Sequence, residues 1–218
     1  MRRFFDIAPL AALAALGVGL GAAGAGTRAQ AQQPAAAAEA ESWTVDQAHS
    51  AVNFSIRHFF TPVSGSFRSF DAQLAFDPVD PTNSEVSVTI DVVSVDTGNE
   101  KRDAHLRSAD WFEAEKWPTM TFRSTSVRPV GDGKFVAEGD LTIKGVTQKV
   151  ELPITLLGVQ EIPPQMQEML GGSKKVASFQ ATGDVDRREF GVGVGNWAQT
   201  AVVGADVSIE IAVEAHLR

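Results

Sequence analysis

Val93 to Phe122, VSVDTGNEKRDAHLRSADWFEAEKWPTMTF, interrupts a chain that otherwise alternates apolar and polar side chains. Val93 and Val95 end a strand, and Thr97 is the expected N-cap of a helix. Glu100, three residues on, completes a capping box by reaching back to the cap's backbone N–H. The spacing predicts a helix from Gly98 to about Ser108, with Asp103 and Arg107 paired four apart in the favourable order. Leu106 is its only sizeable apolar side chain, and about ten residues fall short of the ~12–15 an isolated helix needs in water. Neighbours must therefore hold it, and Trp111, Phe112 and Trp117 are the apolar residues at hand before Pro118 ends any helix. A merely solvated crossover leaves those rings unexplained. The expectation is a helical plug over one end of a β structure, with Thr97, Glu100, Arg102, Asp103, His105 and Arg107 as its polar residues.

Working outward, the period is two. Val52, Phe54, Ile56 and His58 share one face against Asn53, Ser55 and Arg57. Phe67 is out of phase with Phe70, Ala72, Leu74 and Phe76, which predicts a bulge near Arg68-Ser69. Val86, Val88, Ile90 and Val92 form a clean face, and Met120 and Phe122 lead a strand continued inward by Ser124 and Ser126. Asp132-Gly133 predicts a hairpin turn. Beyond it Phe135 to Ile143, Val150 to Leu156, Phe179 to Val185 and Val207 to Val213 alternate in the same way. Between them lie a Pro/Met/Gln-rich break (Ile162 to Gly172) and a Gly-rich loop around Trp197. Eight long strands joined mostly by short turns predict an all-β fold, an eight-stranded antiparallel up-and-down barrel with one short helical crossover. A twelve-residue strand rises ~40 Å, giving a barrel ~30 Å tall at the usual tilt.

Residues 1–31 read as a cleaved signal peptide, with a basic start (Arg2, Arg3), an Ala/Leu-rich core and Ala29-Gln30-Ala31 as the cleavage motif. Residues 32–42 read as a flexible Ala-rich tether, and 43–218 as one domain. No later stretch approaches the ~20 apolar residues of a transmembrane helix. The chain has no cysteine, which excludes disulfides, thiol catalysis and thiolate metal sites. Removing three of its 19 basic residues (Arg2, Arg3, Arg28) and one of its 27 acidic ones (Asp6) leaves a net charge of −10. That argues against nucleic acid and against anionic lipid surfaces. Monomer and homodimer both stay open.

Val45-Asp46-Gln47-Ala48-His49-Ser50 with Phe54-Ser55-Ile56-Arg57-His58 resembles the opening of the YceI-like family. So do Gly65 to Phe70, Ser94-Val95-Asp96-Thr97, the segment Arg102-Asp103-Ala104-His105-Leu106-Arg107-Ser108, Gly139 to Thr147, and Phe190-Gly191. The resemblance spans Trp43 to Leu217 and implies an elongated, lipocalin-like barrel. It further implies export to the bacterial periplasm and a polyisoprenoid or isoprenoid quinone bound in the hydrophobic interior, with no cofactor required.

The apolar phases supply the candidate ligand-binding residues. These are Phe54, Ile56, Val88, Ile90, Phe122, Leu141, Leu152, Ile154, Phe179, Ile209 and Ile211, with His58 facing inward near one end. Ala137, Gly139, Ala181, Gly183, Ser124 and Ser126 are small on inward phases and leave room for a chain-like ligand. No histidine pair has His-x-His or i,i+4 spacing, so no metal site is expected. Asp46 is expected to hold His49 across a turn, since the two are too close in sequence for triad geometry. Two functions stay open: a binding protein for a long apolar molecule, or a barrel enzyme with His58 or His105 as acid–base group.

Overall fold

The computed structural model describes residues 40–218. The expected signal peptide, and the tether up to residue 39, lie outside the described residues. The elements are β1 (Glu41–Val45), β2 (Ala51–His58), β3 (Thr61–Phe67), β4 (Phe70–Phe76), β5 (Glu85–Asp91) and β6 (Val95–Asp96), then α1 (Glu100–Arg107). They continue with β7 (Thr119–Gly131), β8 (Lys134–Ile143), β9 (Val146–Glu161), α2 (Pro164–Gln167), β10 (Lys175–Asp186) and β11 (Val203–Leu217). β1 begins at Glu41, two residues inside the expected tether, because Trp43 is a buried core residue and draws its neighbours into the sheet.

These segments form eight staves. β1 and β2 are one stave broken by a 3₁₀ turn at Gln47–His49, and β3 and β4 are another, bent at Arg68-Ser69 where the phase of Phe67 and Phe70 changes. Every stave pairs antiparallel with the next in sequence, and β11 pairs back onto β1 and β2. The sheet thus closes into an eight-stranded up-and-down barrel with no long free edge. β6 adds two residues to β3 and ties the crossover to the wall.

Local chemistry sets the turns. Asp132-Gly133 and Lys144-Gly145 join hairpins with both residues at positive φ, the conformation that matches strand twist. In β7 a bulge falls between Ser124 and Ser126. It corrects one expectation: Ser126 turns outward and is exposed, and Val127 takes the inward place. Ser124 stays part-buried, its Oγ accepting from the Val86 N–H at 2.9 Å.

The crossover departs from its expected capping. Asn99, not Thr97, caps α1, its side chain accepting from the Arg102 N–H at 3.1 Å. Gly98 at φ +73° turns the chain between the two residues, so helix begins only at Glu100. Thr97 instead donates its hydroxyl and its backbone N–H to Asp103, which is buried. Asp103 is thereby occupied, and Arg107 reaches the Val95 carbonyl rather than forming the expected pair with it. The segment is pinned by charge-assisted bonds to its own strand entry, which are stronger than an exposed i,i+4 pair.

Two aromatic clusters close the barrel. At one end Trp43, Phe135 and Phe179 pack around Phe76, with centroids 5.1–6.3 Å from it and edge-on geometry. At the other, Val52, Phe67, Val92, Val95, Trp111, Met120, Phe190 and Val192 pack together, with Leu106 and Phe112 from the crossover laid against them. The helical segment sits at that second end.

Candidate functional site

Between the clusters lies a cavity of about 490 Å³, within the range of small-molecule sites. Alternation along the staves sends one side chain in two inward, so closure puts their apolar phases on one wall. Phe54, Ile56, His58, Val88, Ile90, Phe122, Leu141, Leu152, Ile154, Phe179, Ile209 and Ile211 all lie on that wall. Of the crossover residues, Thr97, Arg102 and His105 reach it, together with Leu106, Trp111 and Phe112. Glu100, Asp103 and Arg107 do not line it.

The small residues divide. Ala181 and Gly183 line the cavity, and a Cβ on Gly183 would meet only Leu152 Cδ1, at 3.9 Å. Gly139 leaves no such room: a Cβ there would lie 2.7 Å from Phe122 Cε2 and clash with the Arg123 carbonyl. Its bareness seats the Phe122 ring flat on the sheet, and Phe122 then forms the wall. Gly65 does the same for Phe54, whose ring lies over it. Two of the expected ligand-facing rings are thus oriented by glycines on the neighbouring strand.

Polar groups gather where the crossover meets the loop from Arg187 to Val202. His105 lies 3.2 Å from Asp110 through Nε2 and packs edge-on to Trp111 and Trp197. Trp111 Nε1 is buried without a hydrogen-bond partner, and its ring lies 5.7 Å from that of Trp197. His58 and Arg102 are exposed yet on the wall, so the cavity reaches solvent beside them. At the adjacent hairpin tip Phe59 has a φ of +52° and Phe60 is 94% exposed.

Arg187 is the residue that sequence reading missed. It is 3% exposed, lines the cavity, and stacks under Trp111 with 5.2 Å from guanidinium carbon to ring centroid. All five of its N–H groups donate to main-chain carbonyls: Nε to Gly204, Nη1 to Val192 and Gly193, Nη2 to Trp197 and Val203. Burial pushes the guanidinium below its ordinary pKa, and the nearby Asp186 charge only partly opposes this. Asp186 itself is engaged by Arg188, which holds its carboxyl below the usual range. The adjacent Arg187-Arg188 pair carries no signal of which member is buried. Phe190, Val192 and Trp197 were hidden similarly, since their loop has no period.

No helix among the described residues is long and apolar enough to cross a membrane. Comparison with known proteins adds relatives at every level. The YceI-like domain model matches residues 43–215. Protein YceI of Shigella flexneri is 40% identical over 145 residues, covering 66% of this chain and 71% of that protein. BcnA of Burkholderia cenocepacia superposes with a TM-score of 0.69 at 30% identity, covering 78% of this chain and 98% of that one. The Campylobacter jejuni YCEI protein gives 0.62 at 28% identity, covering 72% and 86%. A polyisoprenoid binding domain from Saccharophagus degradans shares the fold alone, with 0.59 at 14% identity over 82% and 99%. With the family model spanning the whole barrel and these relatives agreeing with its closed eight-stranded form, the chain belongs to the YceI-like family.

Proposed function

We propose that this protein is exported to the periplasm and holds one long apolar isoprenoid, polyprenyl or quinone-type, inside its barrel for transport or storage. The observation that carries the reading is the cavity wall: about 490 Å³ enclosed almost wholly by aliphatic and aromatic side chains from all eight staves. Burying a lipid tail there is favourable by ~25 cal/mol per Å² of apolar area, with no charged partner needed. The polar groups sit at the end where the crossover and the Arg187 loop meet, so a head group belongs there and the tail runs toward Phe76. The fold is shared with a Saccharophagus domain described as polyisoprenoid binding, which supports this use of the architecture.

The test is organic extraction and mass spectrometry of protein purified from the exported fraction, beside a Gly183→Leu variant. The wild type should carry one isoprenoid lipid per chain. The variant projects its side chain into open cavity space and should fold but lose most of that lipid. A variant that folds and retains the same lipid in the same amount overturns the reading, as does a wild type purified without apolar ligand.

A further inference from the structure

On the outer wall, away from the cavity, the barrel's closing seam brings together two local pairs of side chains that no spacing in the sequence connects to each other. Asp46 caps the 3₁₀ turn between β1 and β2 and His49 ends it, and Glu214 and His216 lie two apart on β11, so they share its outward face. His49 Nδ1 is 2.9 Å from Asp46 Oδ2 and 3.8 Å from Glu214 Oε1. His216 Nε2 is 3.1 Å from Glu214 Oε1 and 3.8 Å from Asp46 Oδ2. Asp46, His49 and Glu214 thus bring one ligand atom each within 4.8 Å of one another, and His216 stands against the same two carboxylates. Tetrahedral bonds of ~2.0–2.1 Å place neighbouring ligand atoms ~3.3–3.4 Å apart; the four imidazole–carboxylate distances straddle that value, and a shared ion would draw the two imidazoles inward onto it.

The hydrogen bonds around the cluster sharpen the case. The Ser173 hydroxyl is buried and donates to the Leu170 carbonyl at 2.6 Å. Its oxygen is therefore left to accept from His216 Nδ1–H at 3.1 Å. In the neutral ring this leaves the Nε2 lone pair facing carboxylate oxygens, an arrangement relieved either by a proton on Nε2 or by a metal ion between them. A donor fixing the far nitrogen of a histidine is the usual support behind a metal ligand. Asp46 is held likewise, its Oδ1 accepting from the Ala48 N–H at 2.8 Å. Ser50 accepts from the Glu214 N–H at 3.1 Å and fixes that stretch of β11 against the turn.

We propose that Asp46, His49, Glu214 and His216 form a four-ligand site for Zn²⁺ or another divalent transition ion that favours imidazole. Four protein ligands leave no open position, so the site is structural. Its place explains its use. β1 meets β11 through only two register pairs, Thr44 with His216 and Val45 with Ala215. The ion staples this short stretch of the seam in a chain that has no cysteine to cross-link it. The absence of His-x-His or i,i+4 spacing is no obstacle, because the ligands come from two strands that meet only on closure.

The experiment uses untagged protein stripped with a chelator, titrated calorimetrically with Zn²⁺ and, separately, with Co²⁺ read by visible absorption. One Zn²⁺ should bind per chain and raise the melting temperature, and Co²⁺ should give the intense d–d bands of a tetrahedral site. His49→Gln and His216→Gln should each weaken Zn²⁺ at least tenfold. The double variant, checked for fold by circular dichroism, should lose both the binding and the thermal shift. Absence of one-equivalent binding to the wild type means that a proton alone bridges the cluster and overturns the proposal. Equal Zn²⁺ binding by the double variant overturns it too. Weak, octahedral-type Co²⁺ bands in the wild type do the same without any variant.

Discussion

Replacing Arg187 by alanine removes a buried side chain that gathers the loop from residue 187 to residue 204 through five hydrogen bonds. Its five donors reach carbonyls at 2.6–3.3 Å. Each buried acceptor left without a partner costs ~1–3 kcal/mol. Water entering the vacated guanidinium space can bond some of the five. If two stay orphaned the loss is ~2–6 kcal/mol, and the stacking on Trp111 adds ~1 kcal/mol. The expected destabilisation is thus ~3–7 kcal/mol. At ~2–4 °C per kcal/mol for a domain of this size the melting temperature falls by roughly 6–28 °C. Arg187→Lys keeps the charge but offers three donors from one point, so it should melt between the two. Urea denaturation measures the loss, and hydrogen exchange of the Val192 and Trp197 amides shows whether the loop opens first. An alanine variant melting within ~2 °C of wild type, with loop exchange unchanged, refutes the clamp. Desolvating the guanidinium would then have cancelled everything its hydrogen bonds contribute.

Asp103→Ala should cost ~1.5–3 kcal/mol, because Thr97 loses a buried charged acceptor. Arg107→Ala should cost under ~1 kcal/mol, its single bond to the Val95 carbonyl being made from an exposed side chain; paired urea melts decide, and a reversed order refutes the assignment. Gly139→Ala should destabilise by ~1–3 kcal/mol through overpacking against Phe122, and a Gly139→Ala, Phe122→Leu double variant should recover part of that loss in a mutant cycle. Asp77 has its carboxyl held below the ordinary 3.8 by the N–H groups of Asp80 and Val79. A depressed carboxylate stabilises fully above 3.8 and loses this as pH falls through its lower folded pKa. The melting-temperature gap between wild type and Asp77→Asn should therefore be widest near neutrality and shrink below pH 3.8; a gap independent of pH contradicts it.

What could be read in advance follows from which interactions are local. Alternation is a property of neighbouring residues, so the staves, the bend at Arg68-Ser69 and the inward apolar side chains from Phe54 to Ile211 were legible. Bulges were legible only when an aromatic residue marked the change of phase, as Phe67 does. The bulge after Ser124 carries small hydroxyl residues on both sides, and nothing there separates inward from outward. Gly139 looked like space because its covering ring belongs to the next stave. Thr97 looked like a cap because the spacing of a capping box was present; the positive φ at Gly98, which moves the cap to Asn99, is a backbone choice that spacing does not record. Asp46 holding His49 across its turn is local and was legible; Arg187 and the meeting of that pair with Glu214 and His216 were illegible for another reason. Their partners are main-chain carbonyls, or side chains on the far side of the closure, and exist only once the barrel has formed.

Eight staves give the barrel size at which an interior is either just filled or holds one slender ligand. Here the filling is confined to the two ends. Phe76 and its neighbours close one; Trp111, Phe190 and the crossover, held by Arg187, cover the other except beside His58 and Arg102. The aliphatic side chains between them line the space rather than meet across it. A dry void costs ~24 cal/mol per Å³ by the measure of core truncations. For about 490 Å³ that is on the order of 10 kcal/mol, comparable to the whole stability of a typical domain. Water is a poor remedy, since an ordered buried water needs two to four polar partners and the middle of this wall has almost none. An apolar guest avoids both penalties, replacing the missing contacts while burying its own surface. The aromatic ends therefore do more than close the barrel: they supply stability that allows the middle to stay open for such a guest.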